Sequence, residues 1–210
     1  MRALILTVLL LSTPLSAQPL LLFTPDNQPF GSAVVIEDKA YGTFAVSAAH
    51  VCDPIVKYFP GGFAQAHSLT GTLLYVRPIR RHGGTDVCIL ELSNPVTGLP
   101  LSKLHSRGES AYSFTMFPGA AANTVLPLRN KSIAYITPWM IPAELFDGIV
   151  YPGMSGSPVI NEYSEVVGII VGMRTKYVAE VEVETKAIVV PLEAIYDVVR
   201  GVNSQAYLHE

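Results

Sequence analysis

Three short segments hold the side chains that chemistry would use. Ser47-Ala-Ala-His50 ends an apolar run on a histidine, and Asp86-Val-Cys-Ile-Leu-Glu-Leu92 opens an alternating stretch with a carboxylate. Pro152-Gly-Met-Ser155-Gly-Ser-Pro158 sets a serine on a glycine-rich turn. A serine hydroxyl is a weak nucleophile at neutral pH and needs a base within hydrogen-bond reach. An imidazole base in turn needs a carboxylate to fix its tautomer and stabilise the imidazolium. His50, Asp86 and Ser155 supply one of each, spaced by 36 and 69 residues. Singly, each is an ordinary feature: a core histidine, a turn aspartate, a loop serine. Their joint occurrence, each in a suitable local setting, points to nucleophilic catalysis. Asp53 and Asp147 are the competing carboxylates, and neither opens a matching strand.

Other chemistries fit less well. A nucleophile elbow of the α/β-hydrolase kind requires glycine two residues after the serine, where this chain has Ser157, and Pro158 opposes a helix start there. His67, His82, His105 and His209 are dispersed, and no Cys-x-x-Cys or His-Glu-x-x-His pattern occurs, so no metal or other cofactor is expected. The 210 residues carry 14 basic and 17 acidic side chains, a net charge of −3. Nucleic-acid binders carry a basic excess, and Arg77-Pro-Ile-Arg-Arg81, read as a solvated turn, is the nearest approach to one. Hydrophobic residues reach 50%, too many for a disordered chain.

The elements that must position these residues are short strands. Gly31–Glu37 and Thr43–Ser47 flank a break at Asp38–Gly42 and form a hairpin. Extended runs follow at Gly71–Val76, Asp86–Leu92, Ser110–Phe117, Lys131–Ile136, Ser157–Ile160, Val166–Val171 and Ala187–Val190. Many strands with Gly and Pro between them read as an all-β barrel or sandwich. Pro191–Arg200 is the exception: proline first, apolar Leu192, Ile195, Tyr196 and Val199, then Gly201, the signature of one amphipathic helix. Ser93–Arg107 reads as a linker, so residues 18–100 carry His and Asp and residues 101–210 carry Ser. Ahead of them, Arg2, the apolar run Ala3–Leu11 and the small residues to Ala17 read as a secretory signal peptide, residues 1–17, implying a secreted or periplasmic protein with no stable membrane insertion. Cys52 and Cys88 each lie two residues beyond a candidate catalytic residue; they form either a disulfide or two buried thiols.

The segments resemble those of chymotrypsin-fold serine proteases, nearest to the compact bacterial Deg-type and glutamyl endopeptidase branch, and no PDZ domain is expected. Ser47–His50 resembles Thr-Ala-Ala-His, Asp86–Leu92 the Asp-Ile-Ala-Leu-Leu strand, and Pro152–Val159 the Pro-Gly-Asn-Ser-Gly-Gly-Pro run. Gly108-Glu109, Phe114–Gly119, Asn161–Gly172 and Ala187–Pro191 extend the likeness. The resemblance implies two six-stranded antiparallel β-barrels and a short C-terminal helix. It also implies a triad of His50, Asp86 and Ser155 and an oxyanion hole from the N–H groups of Gly153 and Ser155. The primary pocket would then be walled by Ile149, Val150, Ile170 and Gly172, and the substrate would be a polypeptide cleaved after uncharged apolar residues. A protease-fold binding module without turnover is the alternative, and a degenerate triad would have favoured it.

Overall fold

The computed structural model describes residues 19–68, 71–94, 96–102, 110–115, 124–136, 141–148 and 150–208. The proposed signal peptide lies outside them.

The first half is a sheet of β1 (Pro19–Phe23), β2 (Pro29–Asp38), β3 (Gly42–Ser47), β4 (Ala64–Ser68), β5 (Leu73–His82) and β6 (Cys88–Leu92). The order is β5-β4-β1-β2-β3-β6, and β5 pairs with β6 as well as β4, so the sheet curls onto itself. A seventh strand on β5 comes from the far end of the chain, β13 (Ser204–Ala206). The second half is a closed barrel in the order β10-β11-β12-β9-β8-β7. Its strands are β7 (Ser110–Thr115), β8 (Thr124–Ile136), β9 (Ile141–Asp147), β10 (Pro158–Ile160), β11 (Val166–Val178) and β12 (Val181–Pro191). The expected double-barrel architecture is thus present, its first sheet having gained a strand from the C-terminus.

Strand β2 shows why the two halves pack as they do. Side chains alternate across a strand, and here both faces are buried. Ala33 and Val35 enter the first sheet's interior with Leu20, Leu22, Leu74 and Leu90. Val34 and Ile36 join a second core with Val166, Ile169, Val190 and Ile195 from the other half. An uninterrupted Ala-Val-Val-Ile run is what a strand covered on both faces requires. The segment read as a linker takes part in the same packing. Leu99 N–H donates to Val35 O and Leu99 O accepts from Glu37 N–H, while Ser102 N–H donates to Val166 O. Leu99 and Leu101 are buried, and each makes a single parallel bridge, Leu99 to Ile36 of β2 and Leu101 to Val166 of β11.

Two α-helices among the described residues complete the fold. Leu192–Arg200 is α2, ending on Gly201 in the left-handed region, and it buries Leu192, Ala194, Ile195 and Val198 against the shared core. The other, α1 (Ala49–Tyr58), corrects the expectation of a single C-terminal helix. It starts one residue before His50 and buries Val51, Cys52 and Ile55 in the first sheet's core. Arg77, Arg80 and Arg81 lie on strand β5 and not on a turn.

Candidate active site

His50 is the second residue of α1, immediately beyond strand β3, and Asp86 ends the turn from β5 into β6. Pairing of β3 with β6 sets Ser47 opposite Cys88, which brings the two segments side by side. A disulfide between Cys52 and Cys88 ties them again, two residues past each. Asp86 then meets His50 twice. Its Oδ1 accepts the His50 backbone N–H at 2.9 Å, and its Oδ2 lies 2.6 Å from the ring Nδ1. The first N–H groups of a helix have no intrahelical acceptor, and Ala48, at the cap position, offers no side chain to serve them. Asp86 therefore caps α1 from the β5–β6 turn, with its charge at the positive end of the helix dipole. The hydrogen bond to Asp86 raises the His50 pKa above its ordinary value, outweighing the opposing effect of burial, and Asp53 adds a smaller electrostatic contribution. With Nδ1–H directed at a carboxylate, Nε2 is left as the basic nitrogen.

Ser155 sits in a loop that both halves hold. From the second barrel, Ile170 O accepts the Gly156 N–H at 2.7 Å and Ile170 N–H donates to Ser157 O at 2.9 Å. Met154 is fully buried with Phe146, Val159, Val167 and Val189, and its sulfur accepts the Tyr151 N–H. Packing, not a charge pair, orders the residue before the serine. From the first sheet, Ser32 N–H donates to Ser155 O at 2.8 Å and Ser32 Oγ donates to Gly153 O at 2.8 Å. Ser47 Oγ in turn donates to Ser32 O at 2.6 Å. Gly153 and Gly156 have φ of +93° and +90°, a region open chiefly to glycine. At Gly156 a Cβ would collide with the Ser32 carbonyl oxygen. The serine turn is thus pressed onto β2, next to the strand end that leads into His50.

The N–H groups of Gly153 and Ser155 have no acceptor among the described residues. Two unpaired donors beside a serine hydroxyl can stabilise an oxyanion. Of the four residues assigned to the pocket, Ile149 lies outside the described residues. Val150 is half-buried against the cluster that contains Ile170, which is fully covered. Gly172 follows a register shift in β11, with Ile188 Cδ1 3.8 Å from where its Cβ would be. No group of three or more potential metal-ligating side chains occurs among the described residues.

Sequence reading did not single out Ser32 and Ser47. Both are fully buried hydroxyls, and the available signal was a serine inside an otherwise apolar strand. A second network was also missed. Arg81 Nη1 donates to both oxygens of Asp53 at 3.1 and 3.0 Å, and Tyr207 donates its hydroxyl to Asp53 Oδ1 at 2.7 Å. Burial and the carboxylate push the Tyr207 pKa well above its ordinary value.

Comparison with known proteins bears on this geometry. Rv3671c of M. tuberculosis H37Rv, solved as an inactive serine-to-alanine mutant, is similar with a TM-score of 0.63 and 16% identity over 88% of this chain and 85% of its own. The HtrA-type protease AlgW, solved with a decapeptide, gives 0.65 and 13% over 89% of this chain and 63% of its own, so this chain spans less than two thirds of it. The MamO protease domain from Magnetospirillum magneticum gives 0.63 and 14% over 85% and 94%. These likenesses carry the fold. No curated protein sequence matches the chain. The model of the trypsin-like peptidase domain, however, matches residues 31–169, well over half of the sequence. The chain belongs to the trypsin-like peptidase family.

Proposed function

We propose that this protein is an exported serine endopeptidase that cleaves polypeptides through an acyl-enzyme. The observation that carries the reading is the two-point hold of Asp86 on His50, through ring and backbone together. In the reaction, Ser155 Oγ attacks the scissile carbonyl carbon while His50 Nε2 takes its proton. The carbonyl oxygen becomes an oxyanion between the N–H groups of Gly153 and Ser155. Each such donor is worth about 3–4 kcal/mol of transition-state stabilisation. Imidazolium, stabilised by Asp86, returns the proton to the leaving amine, and the C–N bond breaks. Water then attacks the ester carbon, giving its proton to His50. The bond from that carbon to Ser155 Oγ breaks, the carboxylic acid product leaves, and His50 returns the proton to Ser155 Oγ.

The apolar composition around Val150 and Ile170 supports cleavage after uncharged residues. Burying an unpaired charge there costs several kcal/mol, whereas an apolar side chain gains about 1.5–3 kcal/mol. Residues 1–17 serve as a signal peptide, and the Cys52–Cys88 disulfide suits an oxidising compartment. No cofactor has a role in this chemistry. The test is turnover of unfolded casein by purified protein, with Ser155→Ala as the control. Casein cleavage abolished by that substitution is expected. A folded protein that leaves casein intact, and is not acylated by serine-directed phosphonates, would instead be a binding module on a protease fold.

A further inference from the structure

The turn that delivers Asp86 runs His82-Gly-Gly-Thr-Asp86. Two adjacent glycines give it little conformational preference of its own. On its outer side lies an open groove lined by His82, Gly83, Gly84, Asn203 and Gln205. The His82 ring holds the turn's middle residues. Nδ1 of His82 accepts the backbone N–H groups of both Gly84 and Thr85 at 3.0 Å. The ring works as an Asx-type acceptor, folding the turn back onto its own first residue. Its backbone closes the same turn, His82 N–H donating to Val87 O at 2.9 Å. From the C-terminal segment, Ser204 pairs with His82 and Asn203 O accepts the Gly83 N–H.

We propose that His82 is a positioning residue for Asp86, acting through the unprotonated Nδ1 of a neutral ring. The inference rests on the assignment of His50 and Asp86 as general base and orienting carboxylate. A ring that accepts two N–H groups at Nδ1 must carry its proton on Nε2, and Nε2 faces Asp197 of α2 at 3.9 Å. Burial lowers the His82 pKa despite that carboxylate, which favours the neutral form. Without the acceptor, the Gly84–Thr85 backbone loses both of its bonds to the ring and can shift toward the groove, and Asp86, next in the chain, loses its fixed distance to the His50 ring and backbone. Misplacing a catalytic group by about 1 Å costs about 10²-fold in rate.

The decisive pair of variants is His82→Asn and His82→Leu. Asparagine places a carbonyl oxygen near the position of Nδ1, and leucine fills similar space with no acceptor. Expected is near-wild-type kcat for His82→Asn and a loss of about 10²-fold for His82→Leu with little change in KM. The downfield proton resonance of His50 Nδ1–H should persist in the first and be lost to solvent exchange in the second. Equal losses in both variants, or wild-type kcat and resonance in His82→Leu, would overturn the proposal. Nitrogen-15 spectra of the unmutated protein at neutral pH give a second test needing no variant: His82 must show an unprotonated Nδ1, and a protonated one refutes it. Both spectroscopic readouts hold in Ser155→Ala protein. An unmutated protein without turnover would therefore fail the protease reading and leave the role of His82 decided separately.

Discussion

Replacing Gly156 by alanine asks how firmly the serine turn is seated on the first sheet. The new Cβ would overlap the Ser32 carbonyl oxygen and stand 2.5 Å from Ser47 Oγ, where ordinary contact begins at 3.4 Å. The hydroxyl can rotate away, but the carbonyl belongs to a strand buried on both faces and cannot. Relief therefore requires the turn to retreat by about 1 Å, which breaks the bond from Ser32 N–H to Ser155 O. Two costs add. Holding alanine at a φ of +90° costs about 1–3 kcal/mol, and crowding a packed site costs about 1–3 kcal/mol more. Gly42 separates them, because it has a φ of +78° and nothing within 4 Å of its Cβ position. Gly42→Ala reports strain alone. Gly156→Ala should lose about 2–6 kcal/mol in urea unfolding, more than Gly42→Ala by the crowding contribution. It should also lose about 10²-fold in kcat/KM, through displacement of Ser155. Adding Ser47→Ala should restore little, since the carbonyl remains. If Gly156→Ala matches Gly42→Ala in stability and keeps its kcat/KM, the turn is not pinned to Ser32 and this account of the site fails.

A general base must be neutral, so kcat/KM should fall as pH drops through the raised pKa of His50. Asp86→Asn should move that acid limb to lower pH while reducing kcat by about 10⁴-fold, and a limb that stays in place would contradict the assigned pairing. Because the folded pKa is raised, protonated His50 stabilises the fold below its unfolded pKa, and this gain vanishes as pH rises through the folded value. Melting curves of Asp86→Asn should accordingly show a larger deficit in acid than in alkali. Removing the disulfide by Cys52→Ser with Cys88→Ser should cost about 4 kcal/mol by chain entropy over the 36-residue separation, measured by urea unfolding. It should also lower kcat, since the link spans the segments that hold His50 and Asp86. Peptide-library profiling should give Val, Leu, Phe and Met before the scissile bond with soft discrimination, one methylene being worth about 10–200-fold. Strong selection for Glu, Lys or Arg would refute the apolar pocket.

What the sequence reveals here is local, and what it conceals is contact between distant segments. The β2–β3 hairpin, the strand after Asp86 and α2 each carry their own signal in alternation, turn residues or helical spacing. Strand β4, Ala64-Gln-Ala-His-Ser68, alternates buried and half-buried positions with residues of weak strand preference, so only its pairing with β1 and β5 makes it a strand. Strand β13 has three residues and exists because the chain returns to β5 after α2. Helix α1 contains Pro54, a residue that ordinarily ends helices; burial of Val51, Cys52 and Ile55 carries it through. The same distinction runs through the site. His50, Asp86 and Ser155 stand out because catalysis demands rare residue types in marked settings. Ser32 and Ser47 do a task that any strand hydroxyl could do, and their assignment depends on β2 and β3 lying under the serine turn, 121 residues from Gly153 in the case of Ser32. His82 is intermediate. Its nearness to Asp86 is plain in the sequence, but a histidine four residues before an aspartate suggests nothing until the turn closes and both N–H groups point at one ring nitrogen. Supporting residues of this kind are recognised by what they hold, which makes the folded turn, and not the motif, the unit in which this site has to be read.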